Sequence, residues 1–168
     1  MRTIALVIAL SAVACGGSPT SPGGQSEQFT WTVNGQSFTA SSNGRSALRP
    51  SGTTNVGLTG ANCSIGAFLT MIVRNPAVGT FPVSEQGITV SWIPDGRVST
   101  PQDRFDAPGN ASFNVGTGSG TVTITSLTND WISGSFSVVA VAFFNNQDKT
   151  QKTITGSFDL QFRDRVIC

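Results

Sequence analysis

Alternation of apolar and polar side chains with a period of two constrains the fold of this chain more than any other feature. It is clearest near the C-terminus, where Ile154, Phe158, Leu160 and Phe162 share one face and polar residues take the other. Successive side chains of a β-strand point to opposite faces of a sheet, so this spacing predicts a strand with one buried face. Helical spacing never persists for ten residues beyond the leader, so we predict no mature helix longer than a turn.

Turn residues divide the pattern into short strands. Asn34-Gly35 separates two alternating segments, 28–33 and 36–40, and Asn-Gly accepts the positive φ values of a type I′ hairpin turn. Irregular loops are predicted at 41–51 and 94–110, and further strands at 54–59, 67–73, 79–83, 87–92, 111–115, 120–125, 131–144 and 153–163. Nine or ten short strands with turn signals about ten residues apart predict an all-β fold, either an antiparallel β-sandwich or a closed β-barrel.

The first 14 residues are typical of a signal peptide. Arg2 precedes a mostly apolar, uncharged run of eleven residues, Thr3 to Val13. As a helix this run is about 16 Å long, well short of a hydrocarbon core of about 30 Å. Ala12 and Ala14 then supply the small residues of a cleavage site. We therefore predict that residues 1–14 are removed on export.

Cys15 follows the cleavage site at once, and the segment Ser11-Ala-Val-Ala-Cys15 resembles the lipobox of bacterial lipoproteins. The resemblance implies that the thiol of Cys15 receives a diacylglyceryl group, which anchors the mature chain in a membrane. The absence of Asp directly after Cys15 implies the outer membrane. Ala12 stands where a lipobox usually has Leu, and the same residues suit an ordinary signal peptidase, which would release a secreted protein that begins with Cys15.

Residues 15–28 join this anchor to a single domain, 29–168. Apart from two prolines, the residues from Gly16 to Gln28 carry no apolar side chain, so they form a flexible spacer. By the square-root scaling of Gly-rich chains, its reach is on the order of 20 Å. Such a spacer holds a folded domain just clear of lipid headgroups.

The chain has three cysteines, and acylation of Cys15 leaves Cys63 and Cys168. In an oxidising compartment we expect these two to form a disulfide bond; the alternative is two unpaired thiols. The bond would close a loop of about 100 residues, which the chain-entropy model values at roughly 4 to 5 kcal/mol. It would keep the C-terminal strand from fraying.

Composition excludes several classes of function. Loss of Arg2 with the leader leaves nine basic and nine acidic side chains, so nothing favours nucleic acid as a partner. The chain has no His, which rules out a Ser-His-Asp or Cys-His nucleophile and makes a zinc site improbable. Asp95, Asp103 and Asp106 crowd one loop, but their spacing matches no calcium loop and two arginines stand beside them. We predict no metal, no cofactor and no catalytic activity.

Motifs along the mature chain are similar to those of a family of small, functionally uncharacterised bacterial lipoproteins. The matching segments are Trp31-Thr-Val-Asn-Gly-Gln-Ser-Phe38, Gly79-Thr-Phe-Pro-Val83, Gly120-Thr-Val-Thr-Ile124, Ile132-Ser-Gly-Ser-Phe136 and Ile154-Thr-Gly-Ser-Phe-Asp159. The resemblance implies an exported all-β domain and carries over no catalytic residues.

The tryptophans are the remaining candidates for a binding site. Trp31 and Trp92 share strand faces with apolar neighbours, so we expect both in the core. Trp131 lies off the apolar face of its strand and is a weak candidate for stacking a sugar ring. We expect a monomeric, non-catalytic domain in the cell envelope, with a binding or structural role. The alternatives are a barrel that carries a small apolar ligand and a carbohydrate-binding module.

Overall fold

The computed structural model describes residues 26–96, 103–109, 112, 114, 116–143 and 146–163. These residues contain eleven β-strands and no α-helix, which confirms the predicted all-β class. The strands are β1 Gln28–Val33, β2 Gln36–Thr39, β3 Arg45–Leu48, β4 Asn55–Asn62, β5 Ala67–Arg74, β6 Gly79–Pro82, β7 Ile88–Ile93, β8 Phe105–Ala107, β9 Ser119–Leu127, β10 Trp131–Ala142 and β11 Lys152–Gln161.

The long strand β10 joins two halves of one curled sheet. Its first part pairs with β9 and β11, and the first half runs in the order β6-β9-β10-β11-β1-β2. Its last two residues pair with β8, and the second half continues as β8-β7-β5-β4-β3. All of these pairings are antiparallel, and the sheet curls into a half-barrel. An isolated parallel bridge between Phe162 and Ala47 brings the chain beyond β11 next to β3.

The concave face of the sheet is packed with the alternating apolar residues. Trp31 stacks on Phe38 with ring centroids 5.4 Å apart, and Trp92 lies 5.3 Å from Phe105. Phe38 also meets Trp92 edge-on at 6.3 Å, so aromatic contacts link the two halves of the sheet. Trp31 and Trp92 are therefore core residues, as the alternation predicts.

Two short strands occupy segments for which the sequence predicts loops. β3 lies inside 41–51, and β8 lies inside 94–110. In β3 both Ser46 and Ala47 are buried, so the strand shows no alternation. β8 has only three residues and is recognisable only through its pairing with β7 and β10. Of the predicted strand at 111–115, only residues 112 and 114 are described, and Asn114 forms an isolated bridge with Phe143.

The convex faces of the two halves differ in chemistry. A row of hydroxyl side chains crosses all six strands of the first half: Thr39, Thr30, Ser157, Ser135, Thr123 and Thr80. Thr80 and Thr123 share a hydrogen bond of 2.9 Å, and Thr30 and Ser157 share one of 3.2 Å. On the convex face of the second half, the carboxylate of Asp106 lines a cavity.

Candidate functional site

A surface cavity of about 450 Å³ lies on the convex face of β5, β7 and β8. This volume is within the range of small-molecule sites, about 300 to 1,000 Å³. We call it the outer pocket. Its lining residues are Thr70, Ile72, Glu85, Thr89, Val90, Ser91, Arg104, Asp106, Ala107, Pro108, Gly109 and Asn114.

Strand register places the polar groups of the outer pocket in one row. Thr70 of β5 lies opposite Ser91 of β7, and Ser91 lies opposite Asp106 of β8. Their chain neighbours Met71, Val90 and Ala107 are buried in the core on the other face. The same alternation that builds the core therefore points two hydroxyls and a carboxylate to the outside.

Asp106 is the hub of the site. The hydroxyl of Ser91 donates a short hydrogen bond to Oδ1 of Asp106. Oδ2 accepts from Nε of Arg104 at 3.1 Å and from Nδ2 of Asn114 at 2.9 Å. Hydrogen bonds to a charged acceptor are among the stronger ones, so this carboxylate holds three separate donors in place.

Arg104 and Asn114 are themselves held from outside the pocket. The guanidinium of Arg104 lies 4.5 Å above the ring of Phe143, a cation–π contact. Asn114 is buried, and its amide also approaches the carbonyl oxygens of Val141 and Ala142 at 3.5 and 3.4 Å. The end of β10 and the residue after it therefore hold both donors in position, and the polar wall of the pocket is formed without a ligand.

The chain directly after β8 forms one rim of the outer pocket. The Ala107–Pro108 peptide bond is cis, and Gly109 follows with φ of 78°. A Cβ on Gly109 would lie 2.8 Å from a methyl carbon of Val141 and 3.2 Å from Asn114. Glycine accepts both the positive φ and the close approach of the backbone to Val141 and Asn114. Gly109 therefore allows the rim to pack against Asn114.

The outer pocket presents mainly hydrogen-bonding groups. It offers hydroxyl, amide and guanidinium donors, carboxylate acceptors, and an apolar patch at Ile72 and Pro108. The described residues contain no cluster of three His, Cys, Asp or Glu side chains that could hold a metal ion. The lining suits a polar, uncharged ligand with several hydroxyl groups.

Trp131, the sequence candidate for ligand binding, is not a lining residue of the outer pocket. Its indole Nε1 donates to Oδ1 of Asp159, which also accepts from the hydroxyl of Ser133 at 2.5 Å. The ring is half-buried on the convex side of the sheet, at the start of β10. A sugar-stacking role for Trp131 stays a prediction.

Other predicted positions fall partly outside the described residues. Cys15 and Cys168 lie outside them, so the lipid attachment and the disulfide bond stay predictions. Cys63 is half-buried just after β4, where its backbone N–H donates to the hydroxyl of Ser41 at 3.0 Å. Asp106, which the sequence places in a loop with Asp95 and Asp103, belongs to β8.

From the sequence, Arg104 was placed near Asp106, but Ser91 and Asn114 were missed. Ser91, like Thr70 opposite it on β5, looks like an ordinary polar position of an alternating strand, and only register brings Ser91 to the carboxylate. The available signal was the run Arg104-Phe-Asp-Ala107, which alternates within a Pro-rich loop. As a strand, this run places the side chain of Asp106 on the opposite face from Phe105 and Ala107, away from the core.

Comparisons with known proteins leave the chain without an assigned relative. No family model matches it, and neither a curated protein nor a solved structure does so. Within the described ranges, no helix is long and apolar enough to cross a membrane.

Proposed function

We propose that this chain is an exported, lipid-anchored, non-catalytic domain that binds a hydroxyl-rich ligand, a sugar unit of a glycan, in the outer pocket. The observation that supports this function is the set of polar groups that converge on Asp106 in a cavity of about 450 Å³. The rest of the proposal, the anchor and the compartment, depends on the sequence.

A sugar fits this lining better than a charged or a wholly apolar ligand. The vicinal hydroxyls of a pyranose donate and accept, and the pocket presents hydroxyl groups, which also do both, in Thr70, Thr89 and Ser91. The lining carries two carboxylates, Asp106 and Glu85, and one guanidinium, Arg104, a formal net charge of −1 that disfavours an anionic ligand. Ile72 and Pro108 give the apolar C–H face of a sugar ring a surface to cover.

The interior of the sheet supports this choice over an internal apolar ligand. The concave face is occupied by large buried side chains, including Phe29, Trp31, Leu58, Leu69 and Phe105. Protein interiors pack about as densely as organic crystals, so these side chains fill the space that a lipid would need. A carried apolar ligand remains the second candidate, and native mass spectrometry of protein from its host would reveal it as added mass.

A binding role suits the carboxylates of the pocket. Asp106 and Glu85 both line the cavity, and two carboxylates are the usual equipment of a glycoside hydrolase. Asp106, however, accepts hydrogen bonds from three protein donors, so its role is to position those donors. We expect oligosaccharides bound by the wild-type protein to be recovered uncleaved.

The lipid anchor and the disulfide bond complete the proposal. Arg163 donates its backbone N–H to the carbonyl of Ala47 at 2.9 Å, beside Leu58 of β4. Five residues lead from Arg163 to Cys168 and five from Leu58 to Cys63, about 17 Å of extended chain in each case. The tail is therefore long enough for Cys168 to reach Cys63, which supports the pairing that leaves Cys15 for acylation.

The test is an array of immobilised neutral oligosaccharides probed with the protein and with a matched pair of variants. Thr70→Val removes one hydroxyl from the pocket and keeps the shape of the side chain. Thr125→Val makes the same change on β9, away from the pocket. Loss of one ligand hydrogen bond, about 1 kcal/mol, should weaken binding about fivefold in Thr70→Val and not at all in Thr125→Val. Equal affinity for all three proteins, or no bound glycan, would contradict the proposed site.

A further inference from the structure

One end of the domain gathers the first described residues, the last ones and three loops. β1 begins at Gln28 opposite Asp159, near the end of β11, and Trp131 begins β10 opposite Gln161. The isolated parallel bridge between Ala47 and Phe162 means that β3 runs in the same direction as β11. The β3–β4 loop therefore lies at the same end of the domain as the end of β11. The β5–β6 loop joins them, because the end of β5 pairs with the start of β4. We call this the tether end, defined by Glu27, Arg49, Val78, Trp131, Phe162 and Arg163.

Contacts at Glu27 fix the point where the spacer meets the domain. Its backbone carbonyl accepts from the guanidinium of Arg45, and its carboxylate forms an ion pair with Arg163. The backbone N–H of Gln161 also donates to this carboxylate at 3.1 Å. Glu27 and Gln28, which the sequence assigns to the spacer, are therefore part of the folded domain. The spacer begins before them, at the tether end.

Side chains at the tether end are those that suit a lipid–water interface. Val78 is 63% exposed, the most exposed large apolar side chain of the described residues. Trp131 is half-buried with its indole N–H held by Asp159, and the guanidinium of Arg49 lies 4.3 Å above the ring of Phe162. Tryptophan is enriched at the level of lipid headgroups, and arginine combines an apolar stem with a charge that attracts anionic lipids.

We propose that the tether end lies directly against a lipid headgroup surface, with Trp131 inserted among the headgroups. The inference rests on the proposed acylation of Cys15. A spacer with a reach on the order of 20 Å keeps the tether end near the bilayer at an effective concentration in the millimolar range. Even a weak affinity of this surface for headgroups then orients the domain. The outer pocket, on the side of the sheet, stays open to the surroundings.

Fluorescence quenching tests this orientation, because Trp131 is the one tryptophan that lies outside the core. Trp31 and Trp92 are 1% and 7% exposed and supply a constant background. The acylated protein is bound to vesicles of phosphatidylethanolamine and phosphatidylglycerol that carry bromine near the headgroup end of the acyl chains. The control variant combines Trp131→Phe with Gln36→Trp, which moves the reporter to an exposed position after the β1–β2 turn, at the other end of β1 from Gln28.

We expect bromine to quench the Trp131 emission of the wild type and to leave the Gln36→Trp control unquenched. Quenching should weaken in Arg49→Gln. Flotation of the same samples separates two kinds of failure. Protein that floats with the vesicles but shows no quenching of Trp131 would overturn the docking surface and leave the anchor standing. Protein that does not float at all would overturn the anchor and this inference with it.

Discussion

Replacement of Asp106 by Ala should destabilise the domain more than any other single change of an acidic residue. The side chain is 15% exposed and accepts hydrogen bonds from Ser91, Arg104 and Asn114. Each bond from Ser91 and Asn114 to the charged acceptor contributes about 1.5 kcal/mol at the low end of the usual range. The guanidinium of Arg104 is 37% exposed, so solvent screening keeps its ion pair below about 1 kcal/mol.

Together these terms predict a loss of about 3 kcal/mol in the free energy of unfolding, or roughly 10 °C in Tm for a domain of this size. Guanidinium-induced unfolding at pH 7, followed by tryptophan fluorescence, measures the change. The matched control is Asp130→Ala, because Asp130 is exposed in the β9–β10 turn and its loss should cost less than about 0.5 kcal/mol. Equal stability of the two variants would contradict the stabilising role assigned to the three hydrogen bonds of Asp106.

Three further predictions concern the core, the acid response and the disulfide. Gly60→Ala should cost about 2 kcal/mol because its Cβ would lie 2.6 Å from a buried aromatic ring, whereas Gly57→Ala on the same strand meets nothing within 4 Å and should be neutral or slightly stabilising in thermal unfolding. The hydrogen bond from Lys152 lowers the pKa of Asp148 from 3.8 to about 2, so its stabilisation is complete above about pH 5 and is lost as the pH falls through about 2. Asp148 is 46% exposed, so Asp148→Asn should be less stable than the wild type by under about 1 kcal/mol above about pH 5, and the difference should shrink steadily as the pH falls through about 2; a constant difference at all pH values would contradict this. Cys63→Ser should lower stability by about 4 kcal/mol under oxidising conditions only, and an equal effect in reductant would refute the disulfide.

The alternation of side chains was sufficient to predict most of the fold. It placed the long strands β10 and β11, the Asn34-Gly35 turn and the two core tryptophans, because one buried face imposes a period of two on the sequence. The turn has the positive φ values that Asn and Gly accept, 48° at Asn34 and 86° at Gly35. Such features depend on neighbours in the chain, which a sequence displays directly.

The candidate site was mostly beyond the reach of the sequence. β3 and β8 were missed because strands of four and three residues are defined by their partners and not by their own pattern. The outer pocket depends on the register between β5, β7 and β8, and on the approach of Asn114 from a separate segment. Contacts between distant segments follow from packing of the whole domain, and no local spacing encodes them.

The central claim is that Cys15 carries the lipid that holds this β-domain at a membrane. Metabolic labelling with a palmitate analogue, applied to cells that express the wild type or Cys15→Ser, tests it directly. We predict label on the wild-type protein and none on Cys15→Ser, whose precursor should also keep its signal peptide. Equal labelling of the two proteins, or no label on either, would contradict the anchor.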